Sequence, residues 1–240
     1  MNPEPPPGEG SLLVLPVHGI GEVTRAADVA AMIADAVTLE DGDVVVVTQK
    51  IVSKAEGRIV EIDPDDPAAK DALVTSESLR VLRRRGDLVI SETRHGFICA
   101  NAGVDLSNVP YGRAALLPVD SDRSARRLRD RLTSLTGAHV AVIISDTFGR
   151  PWRRGVVDVA IGCAGVAAVV DLRGSLDANG RELLATELCI ADEIASAAEL
   201  VMGKDRSVPV AIVRGTDPTW ARRSSVAAEI IRPPSEDLFR

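Results

Sequence analysis

Aromatic side chains are nearly missing: Phe, Trp and Tyr together make up 2% of the 240 residues. That removes the stacking surfaces on which single-stranded nucleic acid is usually held. No apolar run approaches about 18 residues, so no transmembrane helix and no membrane partner is expected. The net charge is −7, which argues against a non-specific nucleic-acid surface. Cysteine occurs three times, at Cys99, Cys163 and Cys189, among small or apolar neighbours. An odd, scattered set is neither a disulfide framework nor a metal site, and reads as buried thiols in a reducing cytoplasm. No GxxxxGK[ST] loop occurs. The glycine pair Gly19 and Gly21 lacks the third glycine of a dinucleotide fingerprint, because Thr24 stands there. A nucleotide, if bound, is held by another device. Lysine is also scarce, with four against 24 arginines.

Residues 1–10, MNPEPPPGEG, carry neither a basic n-region nor an apolar h-region and read as a disordered leader. Residues 11–240 suffice for a sizeable core, as one domain or two subdomains. Of what is present, residues 141–155, AVIISDTFGRPWRRG, carry the most chemistry. Val142, Ile143 and Ile144 are an apolar run that predicts a short buried strand, ending in Ser145, Asp146 and Thr147. A carboxylate and a hydroxyl at a rigid strand end suit a hard cation such as magnesium. Arg150, Arg153 and Arg154 follow, and guanidiniums suit an anionic ligand. A polar turn with solvated arginines is the plainer alternative.

Two further stretches resemble this one in kind. A β-branched strand at 44–47 delivers Gln49, Lys50, Ser53 and Lys54, with two of the four lysines on one helical face. An ammonium beside a hydroxyl suits phosphate. Residues 101–108, NAGVDLSN, follow another strand with one carboxylate, Asp105, and amides including Asn108. Alone they make a turn, but Asp105 would supply a second carboxylate beside Asp146. Elsewhere the patterning predicts strands at 11–17, 88–91, 97–100, 166–172 and 209–213. It predicts helices at 26–37, 72–85, 120–135, 186–202 and 221–231. Residues 63–71 read as an acidic connector, and 156–165 as a small apolar stretch with Asp158 its one charge. Elements mix without strict βαβ alternation, so an α+β fold is expected. The residues alone leave open a metal-dependent phosphohydrolase, a nucleotide-dependent amide ligase and a non-catalytic anion-binding module.

Taken together, LPVHGIGEV, GDVVVVTQKIVSKAEGR, ANAGVDLSN, ISDTFGRPWRRG, ADEIASAAELVMGK and VPVAIVRG resemble, in this order, the coenzyme F-420-0:L-glutamate ligases. The resemblance covers nearly the whole chain and is specific as a set. It implies a ligase that uses GTP and a divalent metal, magnesium or manganese at two sites, with potassium assisting. It implies addition of L-glutamate to the lactyl carboxylate of a deazaflavin precursor, through an acyl phosphate. It also implies a family-specific α+β fold, with mixed, largely antiparallel sheets and flanking helices, in an intertwined homodimer. In some relatives the module is fused to a flavin-binding domain, so the chain is expected to be a standalone ligase or one half of such a fusion. By the same resemblance Asp105 and Asp146 bind one metal and Thr147 a second. Ile20, Gly21, Glu22, Val23, Lys54, Asn108 and residues 202–209, with Met202, Gly203 and Lys204, hold GTP. Two positions depart from the family pattern. Gln49 stands where some relatives have a serine nucleotide contact, and Lys204 where archaeal relatives have an oxygen ligand for the second metal.

Overall fold

Four consecutive valines at 44–47 are all buried, alternate positions included, so the strand that carries them is covered on both faces. This strand organises the computed structural model, which describes residues 10–238; the expected leader, save Gly10, lies outside them. In chain order the strands are β1 (Leu13–Pro16), β2 (Val44–Thr48), β3 (Ile59–Glu61), β4 (Ser78–Arg85), β5 (Leu88–Thr93), β6 (Ile98–Ala100), β7 (Arg113–Ala115), β8 (Ala141–Gly149), β9 (Val156–Ala164), β10 (Val170–Asp171), β11 (Glu187–Leu188) and β12 (Val210–Arg214). The helices are α1 (Val29–Ala36), α2 (Gln49–Ala55), α3 (Pro67–Glu77), α4 (Ser121–Thr136), α5 (Ile190–Met202) and α6 (Val226–Glu229). The main sheet runs β1-β12-β2-β8-β9. Its one parallel pair is β2 with β8, in a register that sets Val45 against Val142 and Thr48 against Ser145. The remaining pairs are antiparallel, in this sheet and in three small ones. The expected α+β class with mostly antiparallel sheets is what the described residues form.

The main core joins the buried faces of β2, β8, β9 and β12 to α1, α4 and α5. A smaller core of Val74, Val89, Ala102, Val104, Ala114 and Leu116 lies under α3, β5 and β7. Helix α4 starts where the Asp120 carboxylate accepts from Arg123 N (2.8 Å), and it stops at Gly137, whose φ of 77° is left-handed. The cap is thus Asp120, the first residue of the expected helix. Asp122 is buried instead, and accepts from the backbone N–H groups of Cys163 (2.9 Å), Val226 (2.9 Å) and Ala227 (3.1 Å). One carboxylate thereby ties α4 to β9 and to the C-terminal segment.

Several expected elements are corrected. The helix predicted over 72–85 ends at Glu77, and 78–85 is β4, hairpinned to β5. Gly86 (φ 56°) and Asp87 form a two-residue hairpin turn that outweighs the helical spacing, so Arg83, Arg84 and Arg85 lie on an edge strand. The five last residues of the expected connector open α3, capped by Asp66 accepting from Ala68 N at 2.9 Å. The C-terminal helix shrinks to four residues: Ser225 caps it by accepting from Ala228 N, Asp122 accepts from Val226 N at its start, and Ser224 Oγ, accepting from Ala168 N, ties the residues before it to the segment after β9. Residues 187–188 pair as β11 before α5 begins. The stretch 156–165, read as merely apolar, contains β9, the edge strand beside β8.

Cys99 and Cys163 are buried and Cys189 is half-buried, and burial pushes each thiol up to about 12. The charge of Asp146 adds to the effect at Cys99, that of Asp122 at Cys163 and that of Asp192 at Cys189. Since the thiolate is the nucleophile, the native protein is expected to leave Ellman's reagent uncoloured at pH 8 and to consume three equivalents once denatured. Prompt colour in the native state contradicts this.

Candidate active site

Because β2 and β8 run parallel, their C-terminal ends open on the same side of the sheet. A cavity of about 500 Å³ lies there. Helix α2 brings Gln49, Lys50 and Lys54 to it, and β8 brings Ser145, Asp146 and Thr147. The segment after β1 contributes residues 20–23, the loop before β7 Asp105 and Asn108, and the segment after α5 Gly203, Lys204 and several residues to Pro209. Arg206, in the expected run 202–209, does not line the cavity; of the thirteen residues named singly from the resemblance, Gln49 included, twelve do. Met202 does not: it is fully buried at the end of α5, packed in the main core. An apolar side chain on the inner face of a helix is withdrawn by packing.

Ser145, Asp146 and Thr147 are not beyond the end of a short strand. β8 continues through them to Gly149, in register with β9 after a bulge between Ile144 and Ser145. The extra residue, Ile161, is on β9, and the bulge increases the twist of the pair where the chemistry of β8 begins. Pairing with β9 along all three, and with β2 as far as Ser145, makes these side chains more rigid than a strand end would. Arg150, Arg153 and Arg154, by contrast, are exposed on the turn between β8 and β9 and are not brought to the cavity.

Three of the four lysines line the cavity and, among the described residues, no arginine does. Lys50 Nζ lies 2.8 Å from Asp105 Oδ2, and donates to Ser107 O (2.8 Å) and Oγ (3.0 Å). Lys54 Nζ pairs with Glu22 at 2.6 Å. Lys204 Nζ donates to Thr147 Oγ1 and lies 3.6 Å from Asp158 Oδ1. Gln49 is buried and pairs with Ser53 Oγ (2.9 Å), which donates to the Leu116 carbonyl (2.7 Å). Ser53 thus fastens α2 to the smaller core, while Gln49, one turn back on the same helix, lines the wall.

The carboxylates differ in environment. Burial alone would raise Asp105, but the Lys50 ammonium and the Ser107 N–H (2.7 Å) hold it below the usual range. Burial pushes Asp146 up to about 7, against the Thr147 N–H; the charges of Asp105 and Asp158 raise it further. Asp105 and Asp146 are thus close enough to feel each other across the cavity, although 41 positions separate them in sequence. Six acids, Glu22, Asp105, Asp146, Asp158, Glu199 and Asp205, face three lysines. A polyanion would be repelled from such a wall unless cations came with it.

The donor set fits a divalent ion of magnesium type. Two carboxylates and a hydroxyl supply hard oxygen, and lysine ammoniums already stand as cations at Asp105 and at Thr147. Among the described residues no three of His, Cys, Asp or Glu converge to chelate an ion unaided. Magnesium sites for phosphate chemistry need no more, since substrate phosphates and water complete the octahedron.

The sequence pattern described as F420-0:Gamma-glutamyl ligase matches residues 19–215. A protein of Methanopyrus kandleri named Coenzyme F420:L-glutamate ligase is 45% identical over 250 residues, covering 97% of this chain and 99% of its own. The chain belongs to the F420-0:gamma-glutamyl ligase family. A Methanothermobacter thermautotrophicus protein of the same name is 42% identical over 245 residues (93% and 97% covered). One of Archaeoglobus fulgidus is 43% identical over 242 residues (95% and 96% covered). Membership of this gamma-glutamyl ligase family supports an enzyme that ligates glutamate in coenzyme F420 biosynthesis. No helix among the described residues is long and apolar enough to cross a membrane.

Two lining carboxylates escaped the reading of the sequence, Asp158 and Glu199. Glu199 lay hidden among the acids of an amphipathic helix. Asp158 did leave a signal: a lone charge in the apolar run 156–165.

Proposed function

We propose that the chain is a GTP-dependent ligase that joins L-glutamate to the lactyl carboxylate of the F-420-0 precursor. One observation carries the reading within the family: Asp105 and Asp146, from distant segments, face each other across a cavity that also gathers three of the four lysines. Joining an amine to a carboxylate in water is uphill, so the carboxylate is first activated. Its oxygen attacks the γ-phosphorus of GTP, and GDP leaves. The glutamate amine then attacks the acyl carbon, phosphate departs and a proton passes to solvent, giving an amide. Asp105, Asp146 and Thr147 would hold divalent metal, magnesium or manganese, at two sites; when bound it neutralises charge that develops on the transferring phosphoryl group. Residues 20–23, Gln49, Lys54, Asn108, Gly203 and Lys204 form the nucleotide wall. Lys50 holds Asp105 aimed into the cavity, and Lys54 and Lys204 offer ammonium donors to phosphate oxygens. No covalent nucleophile is required of the protein. Potassium is assigned an assisting role. An intertwined homodimer in the cytoplasm, with residues 11–240 as its ligase domain, completes the reading.

Mass spectrometry of the deazaflavin after incubation with GTP, manganese and glutamate tests it. The expected product is heavier by one or more glutamyl units, with GDP formed in step. Phosphate release without that mass gain points to a phosphohydrolase and overturns the ligase.

A further inference from the structure

Asp158 belongs to β9, sits opposite Thr147 of β8, and is 1% exposed. Its Oδ2 accepts from Ser145 Oγ (2.9 Å), and its Oδ1 accepts from Thr147 Oγ1 (2.5 Å). Its backbone carbonyl accepts from Ser196 Oγ (2.7 Å), which fastens this part of β9 to α5. Ser145 and Thr147 are two apart on β8, so both hydroxyls reach the same carboxylate from the neighbouring strand. On the cavity side of Thr147 Oγ1 stands the Lys204 ammonium.

The proton order in this cluster is forced. An ammonium has only donors and an ionised carboxylate only acceptors. The Thr147 oxygen therefore accepts from Lys204, and its single proton goes to Asp158. A free threonine hydroxyl rotates and turns its proton toward a cation about as readily as its lone pairs. This one cannot.

We infer that Asp158 is a positioning residue: by taking the Thr147 proton it turns the hydroxyl's lone pairs permanently toward the cation at this wall of the cavity. Lys204 fills that cation position in the ligand-free chain, and a divalent ion bound with nucleotide would meet the same lone pairs. The inference rests on the metal-holding role proposed for Thr147, and it gives a purpose to a buried carboxylate held by the Ser145 and Thr147 hydroxyls with the Lys204 ammonium 3.6 Å away. Groups that orient a metal-binding side chain typically change metal affinity by about 10–100-fold when removed.

Manganese binding to the full chain with saturating GDP, followed by electron paramagnetic resonance of the free ion, tests this without turnover. Asp158→Asn is expected to weaken manganese affinity about 10-fold. Thr147→Val is expected to do the same, and Thr147→Ser to restore most of it. The double variant Asp158→Asn/Thr147→Val should be no weaker than Thr147→Val alone, because Asp158 acts through the hydroxyl. Losses that multiply, or unchanged affinity in Asp158→Asn, overturn the inference while leaving the metal site standing. Wild-type protein that binds no manganese defeats the metal reading instead. A second measurement then decides for Asp158, and it also serves if Asp158→Asn does not fold. In wild-type protein the Thr147 hydroxyl proton should appear as a downfield, slowly exchanging resonance that Thr147→Val removes; its absence overturns the inference.

Discussion

Asp146→Asn is expected to abolish ligation while making the ligand-free protein more stable. Loss of a charged oxygen at the phosphoryl centre should lower kcat by about 10²-fold or more, in line with the removal of a single charge-stabilising group elsewhere. The gain in stability follows from burial, which raises the native pKa of Asp146 to about 7, above its value in the unfolded chain. The native state therefore binds this proton more tightly than the unfolded state does. The cost of ionising Asp146 is absent below about pH 4, grows from there to about pH 7, and is full above it. A shift of roughly three units corresponds to about 4 kcal/mol at most. Water in the open cavity reduces this to about 1–2 kcal/mol. Asparagine keeps the shape and removes the charge. Urea melts at pH 8 should show the variant stabilised and melts at pH 4 should not, with circular dichroism unchanged. A variant that is destabilised at pH 8, or that ligates at the wild-type rate, contradicts the assignment.

Gly162→Ala is expected to be among the most damaging single changes in the fold. Gly162 lies on β9 beneath the start of α4, where a Cβ would overlap the carbonyl carbon and oxygen of Ser121. The obstacle is backbone, not a flexible side chain, so α4 would have to lift. Lifting α4 pulls on Asp122 and its three backbone N–H partners on β9 and the C-terminal segment. Overpacking of this kind costs about 3 kcal/mol or more. At about 2–4 °C per kcal/mol for a chain of this size, the melting temperature should fall by roughly 6–12 °C. Serine at the same position should be at least as harmful. A midpoint within about 1 °C of wild type would show that α4 does not rest directly on this glycine.

The two experiments separate function from scaffold, and they also mark where local reading stops. The strands β2 and β8 were legible because continuous β-branched runs are buried on both faces whatever their partners. The charged ends of α2 and β8 were legible because lysine is rare here and acids seldom follow such runs. The edge strand β9 was not legible, since small residues fit a strand, a loop or a helix equally, and only pairing with β8 decides among them. Arg83, Arg84 and Arg85 misled in the same way. Cations at a helix end and cations on a strand edge look identical until a two-residue turn pairs β4 with β5. The arginines after Gly149 looked like the anion site, yet the turn carries them outward and leaves the lysines at the cavity.

By itself, then, the sequence determined the family, the α+β class, the main buried strands and nearly all of the cavity wall, because these rest on composition, short-range periodicity and motif order. Only the tertiary structure decided that Asp105 and Asp146 share a cavity, that Met202 and the arginine turn stay out of it, and that Asp158 holds the proton of Thr147. Those outcomes depend on the parallel register of β2 with β8 and the antiparallel register of β8 with β9. β2 and the first half of β8 are buried on both faces, so no inside–outside alternation marks one register over the next, and contacts between residues far apart in the chain decide it.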